Sequence, residues 1–204
     1  YLSPSGLPSG AKNARLKGEI SGDLVKGQEL AFLYPGNALK TNMQGSVRSS
    51  VRSEDTDVYK IIEPMEKDGD EYVPSKKPSL RLGVNVSQQE GTLESLGKLY
   101  DLQYGRAAVT EMTNGKATAT VNSMSRKVAI WAISFKNKDA NALFTNIDYV
   151  AILGVKPTGQ LDLKTGNWVD NGQEGTGTVT LATKDGSKMN GSNTFYAAIL
   201  PGTY

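Results

Sequence analysis

Neither cysteine nor histidine occurs among the 204 residues of this chain. Without cysteine there are no disulfides, no thiolate zinc sites and no cysteine nucleophile. Without histidine there is no Ser-His-Asp triad, no imidazole metal ligand and no imidazole acid-base chemistry. What survives is carboxylate or lysine chemistry, or no chemistry at all. No apolar run approaches the ~20 residues that span a bilayer as a helix. Charge of one sign is not in excess either: 23 basic and 21 acidic residues leave a formal net charge of +2. That balance predicts neither a nucleic-acid groove nor a polybasic membrane patch. Lack of cysteine leaves the compartment open, since it suits the cytosol and also bacterial export that does not rely on disulfides.

Glycine, by contrast, is plentiful. There are 22, accompanied by many Ser, Thr and Asn, so turns outnumber long helices. The opening residues 1–13, "YLSPSGLPSGAKN", are rich in Pro, Gly and Ser and lack a signal-peptide layout. They are read as a flexible N-terminal segment ahead of one domain over 14–204. Short alternating or apolar runs punctuated by Gly, Asn and Asp predict strands at 14–20, 29–34, 79–86, 106–112, 116–122, 127–135, 146–153, 176–183 and 194–200, with a weaker one at 159–163. Asn114-Gly115 joins two of them, and both residues tolerate the positive φ of a type I′ hairpin turn. Ala117, Ala119 and Val121 are expected on one face of that hairpin and Thr118 and Thr120 on the other. The runs "KVAIWAISF" and "TFYAAIL" are apolar on both faces, which predicts central strands covered on both sides. Many short strands without a βα rhythm predict an all-β, antiparallel sandwich with long surface loops.

Residues 36–78 interrupt the pattern with two SVRS copies, mixed charge and three prolines. They read as a long surface excursion with one edge strand near 58–62. Within it, "EDTD" (54–57) and "KDGDE" (67–71) gather carboxylates as calcium loops do. The D-x-D-x-D-G spacing with a distal glutamate is absent, however, and both are read as solvated acidic turns. Glu90, Glu94 and Asp101 raise a glycosidase reading, which requires two carboxylates across one cleft, and no spacing in the sequence places them so. Trp131 lies in a doubly apolar run and is read as core; Trp168, in "TGNWVDNGQEGTG", is read as the exposed aromatic contact. "GTLESLGKL" (91–99) is read as a short helix or 3₁₀ turn capped by Thr92 over the end of the sandwich. Leu93, Leu96 and Leu99 share one side, and Gly97 limits its length. Arg15, Arg48 and Arg52 stand in polar, small-residue stretches open to trypsin-like cleavage. No catalytic, cofactor-binding or metal-ligating residue is assigned.

Several segments, in order, resemble the fimbrillin-like proteins of Bacteroidales, which are pilus-type subunits and related surface lipoproteins. These are "GQELAFLYPG" (27–36), "VNVSQQEGTLESLGKLYDLQYGRAAV" (84–109), "SRKVAIWAISF" (125–135), "IDYVAILG" (147–154), "QLDLKTG" (160–166) and "FYAAILP" (195–201). Gln28 stands where the family often has Asp, and residues 41–78 have no counterpart in the family pattern. The resemblance implies a transthyretin-like β-sandwich, exported and lipidated as a precursor and displayed on the outer membrane, with a second β domain following Pro201. It also implies partners: other fimbrial subunits joined by donor-strand β-augmentation after an arginine-specific cleavage, for which Arg15 is the position to test, and host or bacterial surface ligands. The expected function is therefore a non-enzymatic structural or adhesive subunit, without cofactor and without nucleic acid. The alternative is a carbohydrate-binding module of a glycan-uptake system, which needs two or three coplanar exposed rings.

Overall fold

Short apolar runs broken by glycine and asparagine fold here into strands that pair almost entirely antiparallel. The computed structural model describes residues 3–4, 16–18, 23–35, 58–62, 65–74, 81–136, 138, 146–169, 177–183 and 185–202. In chain order the first strands are β1 (Ser3–Pro4), β2 (Leu16–Lys17), β3 (Glu29–Pro35), β4 (Tyr59–Ile61), β5 (Met65–Asp68), β6 (Glu71–Pro74), β7 (Arg81–Asn85) and β8 (Gln88–Gln89). One helix, α1 (Leu93–Leu99), leads to β9 (Leu102–Thr113), β10 (Lys116–Ala119), β11 (Ser125–Arg126), β12 (Ala129–Ile133) and β13 (Val150–Val155). The last are β14 (Thr158–Asp162), β15 (Trp168–Val169), β16 (Gly177–Leu181) and β17 (Phe195–Ile199). The chain is thus all-β with a single short helix among the described residues.

Three larger sheets share one core. The first runs β15-β14-β7-β4; in the second, β9 carries β3 along one edge and β10 and β11 along the other; the third is β13-β16-β8. Strand β17 pairs with β12. Leu82 and Val84 from β7, Leu161 from β14, Val179 and Leu181 from β16, and Ala197 and Ile199 from β17 are all buried in the same cluster. The strand expected at 79–86 is β7, on which Leu82 and Val84 point inward while Gly83 and Asn85 are half-buried. The edge strand expected near 58–62 is β4, which pairs with β7 on one side alone among the described residues.

Segment 87–92 joins the third sheet to β17. It pairs with β16 in parallel, an exception to the antiparallel expectation, through Thr180 N–H to the Ser87 carbonyl and Ala182 N–H to the Gln89 carbonyl. On its other side the Gly91 carbonyl accepts from Tyr196 N–H of β17. The Gln89 side chain is buried and completes the join. Its Nε2 donates to the carbonyls of Val86 and Ala198, and its Oε1 accepts from Ala198 N–H, each at 2.8 Å. One primary amide therefore does what a paired peptide unit does elsewhere in a sheet. The large majority of buried polar groups in proteins are bonded in this way.

Helix α1 starts where Thr92 Oγ1 accepts from Ser95 N–H, as expected of its cap. Its leucines do not share one side, however. Spacing three falls behind a 3.6-residue turn by about 60° per step, so Leu96 is buried, Leu99 is half-buried and Leu93 is 62% exposed. Two of the stretches quoted above meet at Tyr104. Its hydroxyl donates to the carbonyls of Leu163 and Lys164, and a Cβ on Gly166 would sit 2.3 Å from its ring. Gly166 also holds φ +72°, so glycine is required there on both counts. Asp162 tightens the same turn by accepting from Lys164 and Thr165 N–H, and these bonds hold its carboxyl below the usual carboxylate range.

The Asn114-Gly115 hairpin forms as expected, with φ of 50° and 73°. The facial alternation beyond it is followed in part: Ala119 and Val121 are half-buried and Thr118 and Thr120 exposed, whereas Ala117 is exposed. The register slips between Thr118 and Ala119, Thr110 Oγ1 bonds across to the Thr118 carbonyl, and the strand stops at Ala119. A larger correction concerns "KVAIWAISF". Strand β12 is not central: it pairs with β17 alone among the described residues, and four of its five residues are exposed. An apolar pattern on both faces is common to a covered strand and a bare edge, so periodicity does not separate them. "TFYAAIL" does form the covered strand, β17.

Two outcomes are expected. In Gln89→Glu a carboxylate would face the Val86 and Ala198 carbonyls, costing roughly 2–4 kcal/mol at neutral pH. The folded-state pKa of the new group is thereby raised. Its penalty is fully present above that pKa and shrinks as pH falls through it, when the protonated acid regains a donor; urea denaturation against pH reads this directly. The Tyr59 hydroxyl is buried without a hydrogen-bond partner. Burial first, and then Tyr100 and Asp101, push its ionisation well above the usual tyrosine range. Tyr59→Phe is therefore expected to leave stability unchanged or raise it by about 1 kcal/mol. Because the unfolded tyrosine ionises near 10.0 and the folded one does not, stability falls as pH rises above that value, and the variant weakens this alkaline loss.

Candidate functional site

Two of the three carboxylates singled out around α1, Glu94 and Asp101, are paired locally. Glu94 lies on α1 and pairs with Lys98 one turn on, at 2.5 Å. The hydrogen bond from Lys98, with its charge, holds the Glu94 carboxyl below its ordinary range, opposite to what a general acid needs. Asp101 accepts from Arg126 Nε and from Gln103 Nε2, both at 3.0 Å. Glu90 is half-buried in the segment that leads into α1. Of the acidic turns, Asp68 and Glu71 face each other across the β5–β6 hairpin, whose turn holds Gly69 at φ +62°. Residues 54–57 and the arginines Arg15, Arg48 and Arg52 lie outside the described residues. Among the described residues, no three acidic groups converge closely enough to hold a metal ion. No helix there is long and apolar enough to cross a membrane.

The tryptophans exchange their expected places. Trp168 is half-buried on β15; its Nε1 donates to the Lys127 carbonyl, and its ring packs on Gly159. A recess beside it, walled by Gly159, Leu200 and Pro201, has a volume of about 20 Å³, enough for a water and not for a sugar ring. Trp131, read as core, is 40% exposed. It stands on β12 with Ile130 exposed beside it and Phe135 exposed beyond the strand. The Phe135 ring meets Phe195 tilted by 59° rather than coplanar with it.

Strand β12 is an edge strand among the described residues. A bare sheet edge offers unpaired N–H and C=O groups to another strand, and natural edges are usually blunted by charge, proline, brevity or a bulge. Several other edges among the described residues carry such a feature at one point. β13 slips register between Leu153 and Val155, and β10 slips between Thr118 and Ala119. β4 has three residues, and β3 carries the Glu29–Arg106 ion pair and ends at Pro35. β12 reads Ala-Ile-Trp-Ala-Ile, without charge or proline, in unbroken register with β17.

Which of its backbone groups face outward follows from Gln89. Ala198 and Tyr196 turn their N–H groups to Gln89 and Gly91, away from β12. Their partners across the ladder are Ile130 and Ala132. These are the non-hydrogen-bonded pairs of an antiparallel ladder, so Ile130 and Ala132 direct their own N–H and C=O to the open edge. The sequence carried the strand but not its position, because edge placement depends on strand order.

With two tryptophans in the chain, single substitutions separate them. Trp168→Phe is expected to leave a fluorophore open to acrylamide quenching, and Trp131→Phe a blue-shifted one quenched several-fold less. Equal quenching would contradict this placement.

Comparison of the chain with protein-family models, with curated proteins and with solved structures finds no match in any of the three.

Proposed function

We propose that this chain is a non-enzymatic, surface-displayed structural or adhesive subunit of a fimbria or a related assembly, built on a transthyretin-like β-sandwich and associating by strand addition. The observation that carries the reading is the unguarded β12 edge. Its outward groups, Ile130 and Ala132, fit an incoming strand of four to five residues. The exposed apolar side chain of Ile130 would be covered by the same partner. Buried apolar area of this kind contributes about 25 cal/mol per Å², which backbone bonds alone do not supply in water. The ordered segments of fimbrillin type support the same reading. So does the local pairing of Glu94 and Asp101, which leaves those carboxylates in structural roles. Display on the outer membrane follows from that resemblance.

The test uses full-length precursor treated with an arginine-specific protease. SDS-resistant ladders are expected from the native sequence and are expected to be lost in Ala132→Pro. The substitution removes an outward N–H and leaves the β12–β17 ladder bonds in place, the position at which an edge tolerates proline. Far-UV circular dichroism of the monomer confirms that the fold is kept. Ladders in both proteins would show that β12 is not the acceptor; ladders in neither would remove the assembly reading.

A further inference from the structure

The tip of the β9–β10 hairpin stands apart from the core. Val109 is buried, but every residue from Thr110 to Thr118 is exposed, and the tip pairs only with itself among the described residues. Its turn is Asn114-Gly115, with both residues at positive φ. A second Asn-Gly pair, Asn190-Gly191, is held quite differently. Its Asn Oδ1 accepts from Ser192 N–H at 2.9 Å, its Asn carbonyl accepts from Asn193 N–H at 3.0 Å, and Gly191 is buried.

We propose that Asn114 is a site of spontaneous deamidation, and that the fold protects Asn190 from the same reaction. The nucleophile is the backbone nitrogen of Gly115, which carries no side chain to hinder approach. It attacks Asn114 Cγ, a C–N bond forms, the bond from Cγ to Nδ2 breaks, and ammonia leaves with the proton lost from the Gly115 nitrogen. Water then opens the succinimide at either carbonyl, giving aspartate or isoaspartate. The turn is constrained by the Thr113↔Lys116 pair that closes it, so the reaction runs from the opened tip. Opening there disturbs no buried side chain, and exposed tips open at little free-energy cost. At Asn190 the amide oxygen is already engaged, and the neighbouring bridge between Ile147 and Met189 must part first.

The product alters the tip. Aspartate adds a negative charge between Glu111 and Lys116, in a turn it still tolerates. Isoaspartate lengthens the backbone by one carbon and breaks the Thr113↔Lys116 register. The exposed hairpin thus changes its charge and order with age, with no enzyme required.

The full chain would be aged at mildly alkaline pH, digested with trypsin, and peptides 107–116 and 189–204 compared by mass and fragmentation. Isoaspartyl methyltransferase labelling reports the rearranged product. Deamidation at Asn114 is expected to run at least ~10-fold faster than at Asn190, a modest difference in local opening free energy. Asn114→Gly, which keeps a turn-compatible residue, is expected to abolish the signal in the first peptide. A ratio below that, or conversion at Asn190 ahead of Asn114, would overturn the proposal.

Discussion

One buried amide holds this architecture together. Segment 87–92 runs between β16 and β17, and neither neighbour would be bonded to the other without it. Its carbonyls are shared out in turn: Ser87 and Gln89 to β16, Gln88 to the Tyr100 hydroxyl, Gly91 to β17 and Thr92 to the first turn of α1. What remains is the edge of β17 at Ala198, and Gln89 meets both of its groups. An aliphatic residue would fill the space and deprive one donor and two acceptors of this partner, Ala198 N–H and the carbonyls of Ala198 and Val86, at about 1–3 kcal/mol for each left unbonded. Glutamine is long enough to reach and carries both a donor and an acceptor. The buried position of a polar residue in a core of leucine, valine and alanine is explained by that demand.

The same interaction fixes what lies at the far side of β17. Once Ala198 and Tyr196 turn toward segment 87–92, the alternation of an antiparallel ladder decides the rest. Residues Ala129, Trp131 and Ile133 carry the bonds of β12 to β17, and Ile130 and Ala132 face away. A constraint in the core therefore sets which backbone groups the surface edge presents. The sheet could be extended at β12 without rearranging anything inside, because the interior ladder and the outward groups belong to alternate residues.

Local chemistry was legible in the sequence wherever a residue answers to its neighbours. Asn114-Gly115 specifies its turn, Thr92 caps its helix, and β7 shows its inward face as Leu82 and Val84. Gly166 and Tyr104 were both visible as parts of family-like segments, yet their contact joins residues 62 apart in the chain and no local rule announces it. Strand order is equally invisible to periodicity. Trp131 and Trp168 were misplaced for this reason: the apolar strand was an edge, and the turn-rich segment folded its ring against Gly159 and the Lys127 carbonyl. The parallel pairing of β8 was missed because two residues carry no period at all.

A bare apolar edge is ordinarily a hazard, since it invites pairing between copies that were never meant to associate. Among the described residues β13, β10, β4 and β3 each carry a register slip, a short length or a charged pair, and β12 carries none of these. A single lysine in place of Ile130 or a proline in place of Ala132 would have blunted this edge at small cost to the ladder. Lys127 and Lys136 flank the strand without entering it, so charge is available nearby and is absent from the five residues that pair. The absence of charge, proline and register slip from β12 is the physical ground on which the proposal that it accepts another strand rests.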